Sequence, residues 1–269
     1  MSQGRPIVIE TRGLRKVYGI DRAPLVALQD ISFAVEEGSF VSLVGPSGCG
    51  KSTLLQMLAG LVPSTSGEVL VDDVAVRQPA PEKISVMFQD ATLLPWKRVS
   101  ENVEFPLEIS GMPAVKRRQR AAAMLSLVGL ADFAERYPHE LSGGMRQRVS
   151  IARALAPDPR IMLMDEPFGA LDEQTRIKMG YELLRIWEKT GKTIFFITHS
   201  LTEALFLADI VLVMSHRPGR IVGTIKADLP RPRTYEIIGS AEFGAARNRI
   251  WKLISQDDRD VNGEGMASL

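Results

Sequence analysis

The sequence predicts an α/β fold: a parallel sheet core, interrupted by a helical insert and then resumed. Three observations predict it. Short apolar runs, FVSLVG (40–45), RIMLMDEP (160–167) and TIFFITH (193–199), read as buried parallel strands and end in glycine, carboxylates or histidine. The first of these runs through a glycine-rich turn straight into a helical pattern, KSTLLQMLAG. From about Val99 to Ala156 the apolar period becomes helical, clearest in VKRRQRAAAMLSLVGL.

Taken in order, VALQDISFAV (26–35) alternates as a strand with one solvated face does, and FVSLVG follows as a buried strand. The next helix ends at Gly60, a suitable residue just past a helix C-terminus. Strands are expected at GEVLVDD (67–73) and ISVMFQD (84–90), then the helical stretch, then RIMLMDEP, TIFFITH and IVLVMS (210–215). After Leu229 the run PRPR breaks the pattern, and AEFGAARNRIWKLISQ forms a last helix. The final DDRDVNGEGMASL is polar and expected to fray. This gives one domain over 1–230 with a helical subdomain at about 90–158, followed by a C-terminal helix and polar tail over 231–269. No internal repeat is visible.

Composition sets outer limits. The chain has 269 residues, 45% of them hydrophobic, enough for a substantial core. Its 33 basic and 32 acidic side chains leave a formal charge of +1, so nothing in the balance points to nucleic acid as a partner. The single cysteine, Cys49, excludes an internal disulfide and fits a reducing compartment. The start lacks the layout of a signal peptide, and no apolar run approaches the roughly 20 residues a membrane-spanning helix needs. A cytosolic protein that meets a membrane only through a partner is the expectation.

GPSGCGKS fits G-x-x-x-x-G-K-[ST] from Gly45 to Ser52, between a strand and a helix as the motif requires. Gly45, Pro46, Ser47, Gly48, Cys49, Gly50, Lys51, Ser52 and Thr53 are candidate nucleotide contacts. The glycines let backbone N–H groups turn inward on phosphate oxygens, and the helix N-terminus adds partial positive charge. Lys51 can reach the β- and γ-phosphates, and the Ser52 hydroxyl can ligate Mg²⁺. Cys49 reads as a small residue tolerated in the loop rather than a redox group, though its alkylation is expected to block ATP by bulk.

Asp165 and Glu166 close an apolar strand, at the end of an open α/β sheet where ligands bind. Asp165 is placed to hold Mg²⁺, and Glu166 to polarise a water attacking the γ-phosphate. His199 follows a strand expected beside the phosphate loop, so it is a candidate for the γ-phosphate or the water; His139 and His216 read as structural. LSGGMRQR (141–148) offers a second glycine turn into a helix, whose plainer reading is an N-capped helix start.

In this order GPSGCGKST, Gln89 in MFQD, LSGGMRQR, MLMDEP, ALD (170–172) and THS resemble the ATP-binding subunits of ABC transporters, from Tyr18 to about Arg220. The resemblance implies a P-loop NTPase core with a parallel sheet, an antiparallel β region and an inserted helical subdomain. It implies ATP and Mg²⁺ as ligands and a head-to-tail dimer. In that dimer Ser142, Gly143 and Gly144 of one copy close over the nucleotide held by the other copy's P-loop. Tyr18 matches the aromatic that stacks on adenine, Gln89 the glutamine that touches Mg²⁺ or the lytic water, and Asp172 the loop that crosses the dimer. Met145 stands where the family often has Gln, and GALD replaces the more usual serine-containing form.

Leu93, Leu94, Pro95 and Trp96 make an apolar group where a polar loop is expected. The resemblance reads it as the seat of a permease's cytoplasmic coupling helix; packing between core and insert is the alternative. Integral-membrane permease subunits and, through them, a solute-binding protein are the implied partners, with the chain on the cytoplasmic face of the inner membrane. LLPW…ENV, VLVMSHRPGRI (211–221) and LPRPR (229–233) resemble the nitrate/sulfonate/taurine branch of importer ATPases. A non-transport ABC-type ATPase of DNA repair or translation would carry long coiled coils, zinc modules or a second cassette, and a GTPase an N-K-x-D motif; the sequence has none of these.

Overall fold

A computed structural model describes residues 5–19 and 24–266. In chain order the elements are β1 (Ile7–Tyr18), β2 (Leu25–Glu36), β3 (Phe40–Val44), α1 (Lys51–Leu58), β4 (Ser66–Val71), β5 (Val74–Ala75), β6 (Ile84–Met87), α2 (Val99–Ile109), α3 (Ala114–Leu127) and α4 (Gly143–Leu155). There follow β7 (Ile161–Asp165), α5 (Glu173–Thr190), β8 (Thr193–Ile197), α6 (Leu201–Leu207), β9 (Ile210–Met214), β10 (Ile221–Lys226) and α7 (Ala241–Met266). Two compact units result, Met1–Pro79 with Thr193–Leu269, and Ala80–Lys192.

The first unit holds an antiparallel sheet in the order β2-β1-β4-β5. It also holds β3 with β8 and β9 parallel on its two sides, and β10 antiparallel on β9. All five residues of β3 and of β8 are buried, which is why these strands, Ser42 and Thr193 apart, are apolar rather than alternating. Their aromatics fill the core: Phe40 meets Phe196 at 5.9 Å between centroids, and Phe195 stacks on the half-buried Phe33 of β2 at 5.6 Å. Centroid spacings in this range favour ring pairs beyond the area they bury.

The PRPR break has a structural cause. The last carbonyls of a helix lack intrahelical donors, and Arg233, 4% exposed, supplies them from outside. Its guanidinium donates to the carbonyls of Leu205, Phe206 and Ala208, at and beyond the end of α6, at 2.7–3.0 Å, and to Ala227 at 3.3 Å. Burial lowers its pKa to about 10. Arg231 beside it donates to Asp209 at 2.8 Å and to the Leu207 carbonyl at 2.9 Å.

The last helix buries Phe243, Ala246 and Ile250 at helical spacing. It runs on to Met266 rather than ending at Gln256, so residues 257–266 are helical where fraying was expected; residues 267–269 lie outside the described chain. A helix needs an apolar stripe only where it packs, and a polar extension satisfies its own backbone.

In the second unit β6 and β7 pair in parallel, from Ile84↔Ile161 to Met87↔Met164. The helices α2, α3 and α4 occupy the stretch read as helical, and α5 follows β7. Strands β1 and β10 and helices α5 and α6 were not expected from the sequence. Among the described residues no helix is long and apolar enough to cross a membrane.

Candidate active site

Within the first unit, the register of β3 with β8 pairs Leu43 with Ile197. Gly45 and His199 therefore leave the sheet at one level, two residues past each partner. The Thr198 N–H reaches back to the Leu43 carbonyl at 3.2 Å. His199 is exposed, and its turn is fixed on both sides. Thr198 donates to Glu203 and accepts from the Ser200 N–H, while Ser200 caps α6 through the Glu203 N–H.

The loop between β3 and α1 has the form an anion cradle needs. Gly50, at φ +107°, precedes α1, and a Cβ there would meet Leu28 Cδ2 at 2.8 Å, so no other residue fits. Gly48 and Ser47 at the tip are exposed, as is Ser52 in the first helical turn. Lys51 is only 6% exposed and folds its ammonium back over the loop, donating to the carbonyls of Gly45 at 2.9 Å and Pro46 at 2.8 Å. The inturned ammonium, the open helix N-terminus and the accessible Ser52 hydroxyl fit a nucleoside triphosphate with its Mg²⁺.

Cys49 is 1% exposed, and burial pushes its thiol up. The native fold therefore shields the sulfur and slows the alkylation whose product is expected to block ATP by bulk. Tyr18 ends β1 and is 40% exposed, with Lys16 Nζ over one face of its ring at 4.9 Å from the centroid, so it sits at the surface rather than in the core.

Within the second unit, Met87 pairs with Met164, so Gln89 and Glu166 likewise emerge at one level. Asp165 and Glu166 are both half-buried. Glu166 has φ +43°, the left-handed region, which costs a non-glycine residue on the order of 1–3 kcal/mol. The turn that follows locks it there: the Gly169 N–H bonds the Glu166 carbonyl at 3.0 Å. Gln89 lies against the same turn, its Nε2 3.1 Å from where a Gly169 Cβ would stand. Backbone strain of this kind clusters at functional sites.

The second glycine turn is both a cap and a packing device. Ser142 caps α4 by accepting from the Met145 N–H at 3.3 Å. Gly144 is buried under α5, where a Cβ would meet Thr175 Cγ2 at 2.9 Å. Ser142 itself is exposed. Asp172 caps α5 through the Thr175 N–H at 3.0 Å, and that bond holds its carboxyl below the usual range. This capping duty was not read from the sequence, although D-x-x-T before a helix is a legible N-cap.

The segment after Gln89 is pinned from α2 and α4. Gln147 on α4 donates to the Gln89 carbonyl at 3.1 Å, and Arg153 on α4 to those of Ala91 at 2.7 Å and Thr92 at 2.9 Å. Asn102, fully buried on α2, accepts from the Leu94 N–H at 2.7 Å and donates to the carbonyls of Leu94, Lys97 and Arg98. This net presents Trp96, 71% exposed, at the surface, with Leu93 and Leu94 half-buried beneath it. Asn102, Gln147 and Arg153 went unrecognised in the sequence because their partners are backbone atoms of a loop, which no side-chain pattern records.

The chain is similar to several known proteins. The family profile described as ABC transporter matches residues 28–169. A taurine import ATP-binding protein, TauB of Rhizobium johnstonii, is 54% identical over 205 residues, covering 76% of this chain and 78% of that one. A nitrate import ATP-binding protein, NrtD of Synechocystis sp., is 44% identical over 252 residues, covering 91% of this chain and 94% of that one. Among solved structures, the ATP-binding cassette MJ0796, as a post-hydrolysis dimer bound to ADP and Pi, matches with a TM-score of 0.72 at 34% identity, over 82% of this chain and all of that one.

Proposed function

This chain belongs to the ABC transporter family, and from that premise we propose that it is the ATP-hydrolysing subunit of a multi-subunit importer for a small solute such as nitrate, a sulfonate or taurine. One observation carries the reading: the chain has two glycine turns suited to phosphate, Gly45–Thr53 in one unit and Ser142–Gly144 in the other. A single bound nucleotide uses both only when they come from opposite sides. A two-fold dimer meets that condition, because each copy then lends its second turn to its partner's ATP. The dimeric, ADP- and Pi-bound state of the related cassette supports this arrangement.

Each residue has a role in that assembly. Lys51 and the loop N–H groups hold the phosphates, and Tyr18 stacks on the base. Ser52, Asp165 and Gln89 would hold Mg²⁺, which neutralises charge on the phosphate oxygens. Glu166 accepts a proton from the attacking water as the bond between the β- and γ-phosphates breaks, and His199 orients the γ-phosphate. Asp172 faces the dimer partner. The Leu93–Trp96 surface receives the permease, which holds the chain at the cytoplasmic face of the membrane and connects it to a solute-binding protein.

The solute is tested by growth of a deletion strain on single sulfur or nitrogen sources: taurine, alkanesulfonates, nitrate and cyanate. Failure on one source, restored by wild type and not by Glu166→Gln, is the expected result. Normal growth on every source removes this group of solutes. The docking surface has its own test. Trp96→Asp should stop co-purification of the permease subunits while the isolated chain's ATPase stays within about twofold, as expected of an exposed position. A large fall in melting temperature would instead assign Trp96 to packing.

A further inference from the structure

The turn between β9 and β10, residues 215–220, lies against the outside of the phosphate loop. Arg217 donates through both Nε and Nη2 to the Gly48 carbonyl, at 3.2 and 2.7 Å. Gly219 comes so close that a Cβ there would stand 2.3 Å from the Cys49 carbonyl. Its backbone is stitched to β2, its N–H to the Ala27 carbonyl at 3.0 Å and its carbonyl to the Gln29 N–H at 2.9 Å. Ser215 ties the turn internally, donating to the carbonyls of His216 and Pro218 and accepting from the Arg220 N–H.

The turn is also held from its other side. Asp257, on the last helix, accepts from the His216 N–H and lies 3.0 Å from His216 Nδ1. That helix is bedded by Phe243, Ala246 and Ile250, and by Leu253, which fills the space beside Gly223 on β10. A continuous chain of contacts thus runs from α7 through Asp257, His216 and Arg217 to Gly48.

Gly48 is exposed, sits at φ +73° and forms the tip of the phosphate cradle. In a planar trans peptide the carbonyl and the following N–H point in opposite directions. Holding the Gly48 carbonyl outward therefore directs the Cys49 N–H to the opposite side. A loop ordered before its ligand arrives binds more tightly, because it no longer loses that freedom on binding.

We infer that Arg217 is a positioning residue for the nucleotide: its two-donor fork, braced by Asp257 through His216, sets the affinity of the phosphate loop for ATP. The last helix thereby governs nucleotide binding without touching it. The inference rests on Gly45–Thr53 being the nucleotide site.

The test measures binding of a fluorescent ATP analogue to the full-length chain, together with KM, kcat and melting temperature. Arg217→Ala should raise Kd and KM about tenfold with kcat at saturation little changed, a difference equal to about 1.4 kcal/mol. Arg217→Lys should recover only part of this, since lysine keeps the charge but not the fork. Asp257→Ala should weaken binding about threefold, or about 0.65 kcal/mol, and add nothing in the Arg217→Ala background. Should Asp257→Ala loosen α7 and lower the melting temperature, Asp257→Leu, which keeps the side-chain shape but has no acceptor for the His216 N–H, takes its place. Wild-type affinity in Arg217→Ala overturns the inference alone; full recovery by lysine overturns the fork; additivity of the two substitutions overturns the brace. Failure of the wild type itself to bind, with Lys51→Ala no different, would overturn the nucleotide site and the inference with it.

Discussion

Glu166→Gln should bind ATP as the wild type does, hydrolyse it at least about a thousandfold more slowly, and accumulate as a nucleotide-dependent dimer. The substitution keeps length and shape but removes the proton acceptor. It also leaves the local backbone alone, because the bond holding residue 166 at φ +43° runs from the Gly169 N–H to a main-chain carbonyl. Binding and turnover are thus separable at this position. Single-turnover hydrolysis and light scattering, with and without ATP, read the two properties independently. A Gln variant that still turns over at the wild-type rate would remove Glu166 from the reaction, and one that no longer binds would show that it serves the nucleotide itself.

The second large effect lies at Lys51. Lys51→Ala should weaken ATP binding by about a hundredfold, or about 2.7 kcal/mol, as expected for loss of a charged donor to phosphate. The ammonium bonds the Gly45 and Pro46 carbonyls inside its own loop, so phosphate competes with acceptors that the side chain can already use. The measured loss reports the difference between phosphate and carbonyl as partners, not the whole attraction. Lys51→Met, which keeps the buried stem, separates charge from packing. If it binds like wild type, the ammonium is not what holds the phosphates; if it binds like alanine, the charge alone carries the effect.

Residues whose chemistry is local were legible in the sequence. The cradle at Gly45–Thr53 and the carboxylates at Asp165 and Glu166 each sit at an element boundary that a short apolar run announces, and the glycine pair at Gly143 and Gly144 opens a helix behind the N-cap Ser142. β1 was not, because Gly13, the polar Thr11, Arg12 and Arg15, and several register shifts break its alternation along Ile7–Tyr18. The amphipathic α5 hides for another reason: only Met179, Gly180, Leu183, Leu184 and Ile186 are buried among many charged residues. Asn102, Arg153, Arg217 and Arg233 act by donating to backbone carbonyls 4 to 169 positions away in the chain. A carbonyl belongs to every residue alike, so no side-chain pattern records which one a donor will find.

The burial of Cys49 makes the protein convenient to label. It is the only cysteine in the chain, is 1% exposed, and has its ionisation suppressed by burial. Maleimides and mild oxidants act on accessible thiolate, so the native molecule offers them almost nothing. A cysteine introduced on the surface, at Trp96 for example, becomes the one reactive thiol in an otherwise unaltered sequence. Spin labels and fluorophores can therefore follow this chain through its nucleotide cycle without first removing a residue from the phosphate loop.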